Sequence, residues 1–303
     1  MSQIIDQIRR EYGQQDSLRD AGLSRPAGIE SFEDIAYGSG GDQVLDVYRP
    51  GDARGKLPVI VSVHGGAWVY GDKNRYQYYT SSLADRGFAV VNFSYRLAPE
   101  YRFPAALEDT LRVFAWVREH AEEYGFDLDA LFAVGDSAGA HLLGLYCAAC
   151  TCRGAAENMG IGGSAPGPLP RGVALACGFY RPRMSEEKEA STEMEIFREM
   201  LPWPLDAQSL ARVDVLRYIT PEFPPTFAFT STGDFLKAQT LELQTVLKAQ
   251  GVPHVVRCYG EEENPLGHVF QCSLRNPYAG GCNDDQCAFF RSLMASKDVL
   301  WMN

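Results

Sequence analysis

Positive charge is scarce in this chain. Its 303 residues carry 28 Lys and Arg against 39 Asp and Glu, a formal net charge of −11. A balance that acidic is a poor match for nucleic-acid phosphates or anionic lipid headgroups, so neither nucleic acid nor membrane is expected as a partner. Long hydrophobic runs are lacking too. No stretch approaches the ~20 apolar residues of a membrane-spanning helix, and the opening MSQIIDQIRR lacks the apolar core of a secretion signal. These absences predict a soluble, cytoplasmic protein. Internal repeats and low-complexity tracts are also missing. Cysteine is not scarce, with eight in the chain, but nothing implies secretion and a chain of this size does not need disulfides. The thiols are expected to be free. Cys147, Cys150 and Cys152 invite a metal reading, yet no second ligand pair lies at zinc-site spacing. They are expected as small apolar residues on a helix, and no metal is expected.

What is present is core material. A hydrophobic content of 46% supports a sizeable interior, and the length fits one large α/β domain covering residues 1 to 303. Ile4, Ile5, Ile8 and Tyr12 share one helical face, so residues 3 to 13 are expected to form an amphipathic helix packed on the body. Two strand-like segments follow, 29–37 and 44–48, separated by the glycine-rich turn 38–41, and read as an antiparallel pair. From residue 57 the rhythm changes. Short Val/Ile/Phe-rich runs at 57–63, 88–95, 131–134, 172–177, 226–230 and 255–259 alternate with helical patterns at about 74–86, 104–123, 138–152, 236–250 and 284–296. That alternation predicts a mostly parallel sheet with helices on both faces. Residues 153–170, rich in Gly, Ala and Pro, read as a surface loop, and 183–217 as extra helical material over the sheet.

Chemistry concentrates at Phe132-Ala-Val-Gly-Asp136-Ser137-Ala138-Gly-Ala-His141. A serine between two glycines, at the point where a strand turns sharply into a helix, is the Gly-x-Ser-x-Gly nucleophile elbow of α/β hydrolases. Serine alone is a weak nucleophile, so the reading requires a base, a group that orients it and donors for an oxyanion. In this fold the order along the chain is serine, acid, histidine. Asp234, in Thr-Gly-Asp-Phe before a helix, has the place of the acid, although a helix N-cap would also use an aspartate there. Beyond it lie only His254, which opens a strand, and His268, in the following loop, so His268 has the place of the base. His120 is expected to be solvated in a charged helical stretch, and His141 to pack. After the third strand, His64-Gly65-Gly66-Ala67-Trp68 supplies a glycine-rich loop whose backbone N–H groups can approach a substrate.

Taken in that order, the chain resembles the hormone-sensitive-lipase-like family of α/β-hydrolase esterases over nearly its whole length. The motifs are His64-Gly-Gly-Ala-Trp-Val-Tyr-Gly71, Tyr95-Arg-Leu-Ala-Pro-Glu100, Phe103-Pro-Ala-Ala106 and Gly135-Asp-Ser-Ala-Gly139. The resemblance implies a serine carboxylesterase for small-molecule esters, with Ser137 as nucleophile, Asp234 as acid, His268 as base, and no cofactor. It further implies an oxyanion hole from the N–H groups of Gly65, Gly66 and Ala138, and a helical cap from about 1–25 and about 183–217. His64, Arg96 and Glu100 are implied as supports of the loops. Trp68 and Asp136 are expected at the substrate pocket, where the rings of Trp68, Tyr70, Tyr76, Tyr78, Tyr79 and Trp203 would crowd the mouth and favour acetyl to butyryl groups. The departures are Lys237-Ala-Gln239 where the family usually has acidic residues, and Val269 where it often has glycine. The same triad would serve an arylformamidase, amidase or peptidase, and His-Gly-Gly-x-Trp also resembles arylformamidases. A non-catalytic receptor on this fold, like the plant gibberellin receptor, would be expected to lose a triad member, and this chain keeps all three. Homodimer formation is compatible with the sequence.

Overall fold

The Val/Ile/Phe runs become strands because side chains alternate between two faces and both faces are covered. In β5 (Phe126–Asp136), Leu131 and Ala133 enter one apolar cluster while Phe132 and Val134 enter another. A computed structural model describes residues 3–162, 167–183 and 191–295. Its sheet has eight strands, in the order β1 (Ile29–Ala36), β2 (Val44–Pro50), β4 (Ala89–Phe93), β3 (Leu57–Val63), β5, β6 (Gly172–Ala176), β7 (Thr226–Ser231) and β8 (His254–Tyr259). β1 and β2 pair antiparallel, as does β2 with β4, and every pairing from β4 through β8 is parallel.

Helices α2 (Lys73–Ala84) and α10 (Pro277–Ala295) bury Tyr76, Tyr79, Leu83, Cys287 and Phe290 against one face. On the other lie α3 (Ala105–Glu119), α5 (Ala138–Thr151) and α9 (Lys237–Ala249), with Val113, Leu142 and Leu247 in the cluster there. The connections after β3, β5, β7 and β8 therefore emerge at one edge, the C-terminal ends of the parallel strands, where such sheets hold their ligands.

Several boundaries differ from the periodicity. The first helix, α1 (Gln3–Asp20), is longer than its apolar face, because its second half is held by polar contacts. α10 begins at Pro277, about two turns before the expected start near 284, and runs through Gly280-Gly281. Helix 104–123 is two helices, α3 and α4 (Ala121–Tyr124), divided at His120. That histidine is half-buried rather than solvated, its ring stacked 4.4 Å from Trp116. Part of the expected 153–170 loop folds as α6 (Ala155–Met159), which buries Ala155 and Met159; residues 163–166 lie outside the described residues. The expected cap segment holds α7 (Thr192–Met200) and α8 (Ala207–Arg212), with 184–190 outside the described residues. Among the described residues no helix is long and apolar enough to cross a membrane.

Candidate active site

Ser137 joins β5 to α5 with φ 50° and ψ −116°. A side chain in that region costs about 1–3 kcal/mol and persists only where the surroundings dictate it. The surroundings here are tight. A Cβ at Gly139 would lie 2.0 Å from the carbonyl oxygen of Val63, so α5 can start this close to β3 only with glycine there. The turn leaves Ser137 and Ala138 facing a cavity of about 930 Å³.

His268 reaches the same cavity from the loop after β8, and Asp234 stands behind it after β7. His268 Nδ1 and Asp234 Oδ1 are 2.7 Å apart. Burial alone would raise the Asp234 pKa. The hydrogen bond and charge of His268, the Thr230 hydroxyl (2.6 Å) and the Leu236 N–H (2.9 Å) outweigh it, and the carboxylate is held below its ordinary range. Asp234 therefore also makes the local N–H contact of a capping aspartate, beside its bond to the histidine. The residue after His268, Val269, is left-handed at φ 57°, which explains why glycine would be easier there. His254 opens β8 with its Nδ1 2.8 Å from the Val252 carbonyl oxygen, away from this group.

The glycine-rich loop differs in one respect from its expected use. Gly65 donates its N–H to the Tyr76 hydroxyl at 3.0 Å, and that hydroxyl donates to Asp136 at 2.7 Å. The Gly65 amide is thus engaged and is not a free oxyanion donor. Glycine is needed at 65 for space, since a Cβ would stand 2.3 Å from Asp136 Oδ2. Ala67 turns left-handed at φ 52°, and no hydrogen bond among the described residues takes the N–H of Gly66, Ala67 or Ala138. All three residues line the cavity. Asp136 is buried beneath them, and burial pushes its pKa up to about 6 against the Tyr76 hydrogen bond.

The supports implied by the motifs are in place. His64 is fully buried, stacked 4.0 Å from Tyr95, and burial pushes its pKa down to about 4, so it stays neutral. Arg96 binds the buried Asp109 at 2.9 Å, and Glu100 pairs with Arg9 of α1 at 2.7 Å. His141 is likewise buried between Trp68 Nε1 (3.2 Å) and the Val213 carbonyl oxygen (2.7 Å).

Trp68 and Asp136 line the cavity as expected; Trp203 does not. It packs 5.6 Å from Phe103, under the Arg212 guanidinium. Tyr76, expected as a ring at the mouth, lines the cavity and also holds Gly65 and Asp136 through its hydroxyl; the residues that sequence reasoning passed over are Cys177 and Phe235. Cys177, fully buried after β6, brings its sulfur within 4.8 Å of the Asp234 and His268 donor atoms. That trio has the donor types for a soft divalent cation, but Asp234 and His268 are already bonded to each other. Burial, with the neighbouring Asp234 carboxylate, raises the Cys177 pKa, so the thiol is protonated.

The BD-FAE family model matches residues 45–245, more than half of the chain. Esterase LipQ of Mycobacterium tuberculosis is 40% identical over 116 residues, covering 37% of this chain and 28% of LipQ. Ethyl acetate hydrolase of Pseudomonas putida is 32% identical over 140 residues, covering 45% and 44%. The chain thus spans less than half the length of these curated relatives. Esterase B of Lactobacillus rhamnosis, in complex with a tributyrin phosphonate, superimposes with a TM-score of 0.85 at 24% identity over 96% of both chains, which shows the shared fold. On the matched model the chain belongs to the BD-FAE family, and it has the fold of the α/β-hydrolase Esterase B.

Proposed function

We propose that this protein is a serine carboxylesterase that hydrolyses short-chain esters through an acyl-serine intermediate. The observation that carries the reading is the 2.7 Å contact of His268 with Asp234, set at the cavity into which the strained elbow presents Ser137. Asp234 fixes the imidazole with its proton on Nδ1, leaving Nε2 to accept the serine proton as Oγ attacks the ester carbonyl. The N–H groups of Gly66, Ala67 and Ala138 receive the developing oxyanion, each supplying roughly 3 kcal/mol at the transition state. Collapse of the tetrahedral intermediate breaks the bond to the alcohol oxygen, which takes the proton back from His268. Water then repeats the sequence on the acyl-serine. No step calls for a cofactor. Esters small and polar enough to dissolve in the cytoplasm are the substrates in this reading.

Trp68 sits beside the oxyanion loop with Phe179 at 5.4 Å and Phe197 at 5.5 Å. These rings support a short acyl pocket, while the remaining cavity volume serves the alcohol. The p-nitrophenyl acetate and butyrate esters are expected to be cleaved, with kcat/KM more than about tenfold above the decanoate. Failure to cleave any ester of the series would reject the esterase reading; a maximum at ten carbons would reject only the short pocket.

Tyr76 anchors the oxyanion loop by accepting from Gly65. Removing its hydroxyl leaves the Gly65 N–H and Asp136 without that partner, at about 1–3 kcal/mol of stability. Tyr76→Phe is therefore expected to unfold a few degrees lower and to lose roughly 10- to 100-fold in kcat as the donors drift. An unchanged kcat would mean that the loop is held without this hydroxyl.

A further inference from the structure

The turn between β7 and α9 places a phenylalanine directly after Asp234. Phe235 is 73% exposed, the most exposed aromatic side chain among the described residues. Its one ring partner among them is His268, with centroids 4.4 Å apart and planes inclined by 41°. Packing does not account for this placement, because a ring left in water forgoes the gain from burial. Its position relative to the reaction does. In ester cleavage the departing alcohol takes its proton from the histidine, so the alcohol lies against that imidazole in the transition state. Phe235 stands against the same imidazole and, with Leu236, lines the same cavity.

The charges farther along this wall favour a neutral group. Arg181 is paired with Asp214 at 3.0 Å and Arg183 with Glu242 at 2.7 Å, so neither guanidinium is left over for an anionic alcohol. Gln239 spends its side-chain oxygen on the N–H groups of Tyr180 and Arg181, at 2.6 and 2.8 Å. Ala238 lines the cavity beside Phe235 and Leu236, so the wall next to the histidine offers apolar groups and a ring.

We propose that Phe235 forms a leaving-group subsite that selects esters whose alcohol carries an aromatic ring, by stacking on that ring. This rests on the esterase reading given above. Offset or edge contacts between two rings add attraction beyond the area they bury, and a contact with a non-reacting part of the substrate is read most directly in kcat/KM.

Benzyl acetate and ethyl acetate test the subsite. They form the same acetyl-serine, so deacylation is common and only the alcohol differs. In Phe235→Ala the benzyl-to-ethyl ratio of kcat/KM is expected to fall about tenfold or more, while Phe235→Tyr, which keeps the ring, holds the wild-type ratio. A ratio in Phe235→Ala within about twofold of wild type overturns the proposal, as does a tenfold loss in Phe235→Tyr. If the wild-type chain cleaves neither ester, or Ser137→Ala cleaves both, the esterase reading itself fails and the subsite falls with it.

Discussion

Ser137→Ala is expected to abolish ester hydrolysis and, in the same preparation, labelling by a fluorophosphonate. The reagent needs an activated hydroxyl and an oxyanion site together, since its phosphoryl oxygen occupies the place of the carbonyl oxygen. Ser137, His268 and the loop residues Gly66 and Ala67, whose N–H groups no hydrogen bond among the described residues takes, line one cavity. Losing the nucleophile of such a unit costs about 10⁶ in kcat, because base and acid have nothing left to activate. One label per chain on the wild type and none on the variant is the expected mass-spectrometric result. A label that persists in Ser137→Ala would place the nucleophile elsewhere. The variant should be no less stable than the wild type, because the Ser137 side chain does not cap α5 by a hydrogen bond.

The second large effect separates histidines that look alike in the chain. His268→Ala is expected to lower kcat by several orders of magnitude, and Asp234→Asn by about 10⁴, since an amide at that position favours the wrong imidazole tautomer. His254→Ala should stay within about tenfold of wild type, because His254 is bound to the Val252 carbonyl at the start of β8. Steady-state kinetics on p-nitrophenyl acetate, with circular dichroism to check folding, decides the matter. Equal losses for His254 and His268 in folded variants would overturn the assignment, and full activity in Asp234→Asn would point to another acid.

The parts legible in the sequence were those encoded by short-range pattern. Strand-length apolar runs alternating with helical patterns announced the parallel sheet, and the places expected for Ser137, Asp234 and His268 followed from the chain order and strand-end loops of the α/β-hydrolase fold. Longer-range contacts were not legible. Nothing near Gly65 signals that its amide is taken by Tyr76, 11 residues on, or that the same hydroxyl reaches Asp136, 60 residues away. Gly-Gly reads as two free donors until the partner is seen. Residues 14–20 carry no apolar stripe, yet they are helical because Tyr70 holds Asp16 and Arg19 reaches the Arg75 carbonyl. Trp203 misled for the converse reason: a tryptophan near a pocket-forming segment has equal use in packing, and here it packs. Phe235 was in view beside Asp234, but only the fold shows its ring against the histidine.

One wall of the cavity is α1, whose Tyr12, Gln15, Asp16 and Arg19 line it. That helix buries only Ile5 and Ile8 fully. Polar contacts also moor it, among them Arg9 to Glu100 and to the carbonyls of Val69 and Ala98, and Arg275 to the carbonyls of Arg19 and Ala21. Dissolved ions screen attractions of this kind over about 8–10 Å and leave apolar contacts in place. Ionic strength is therefore expected to act on this wall of the cavity before it acts on the frame: salt weakens the Arg9–Glu100 pair while the apolar contacts of the sheet, and of Ile5 and Ile8, stay in place.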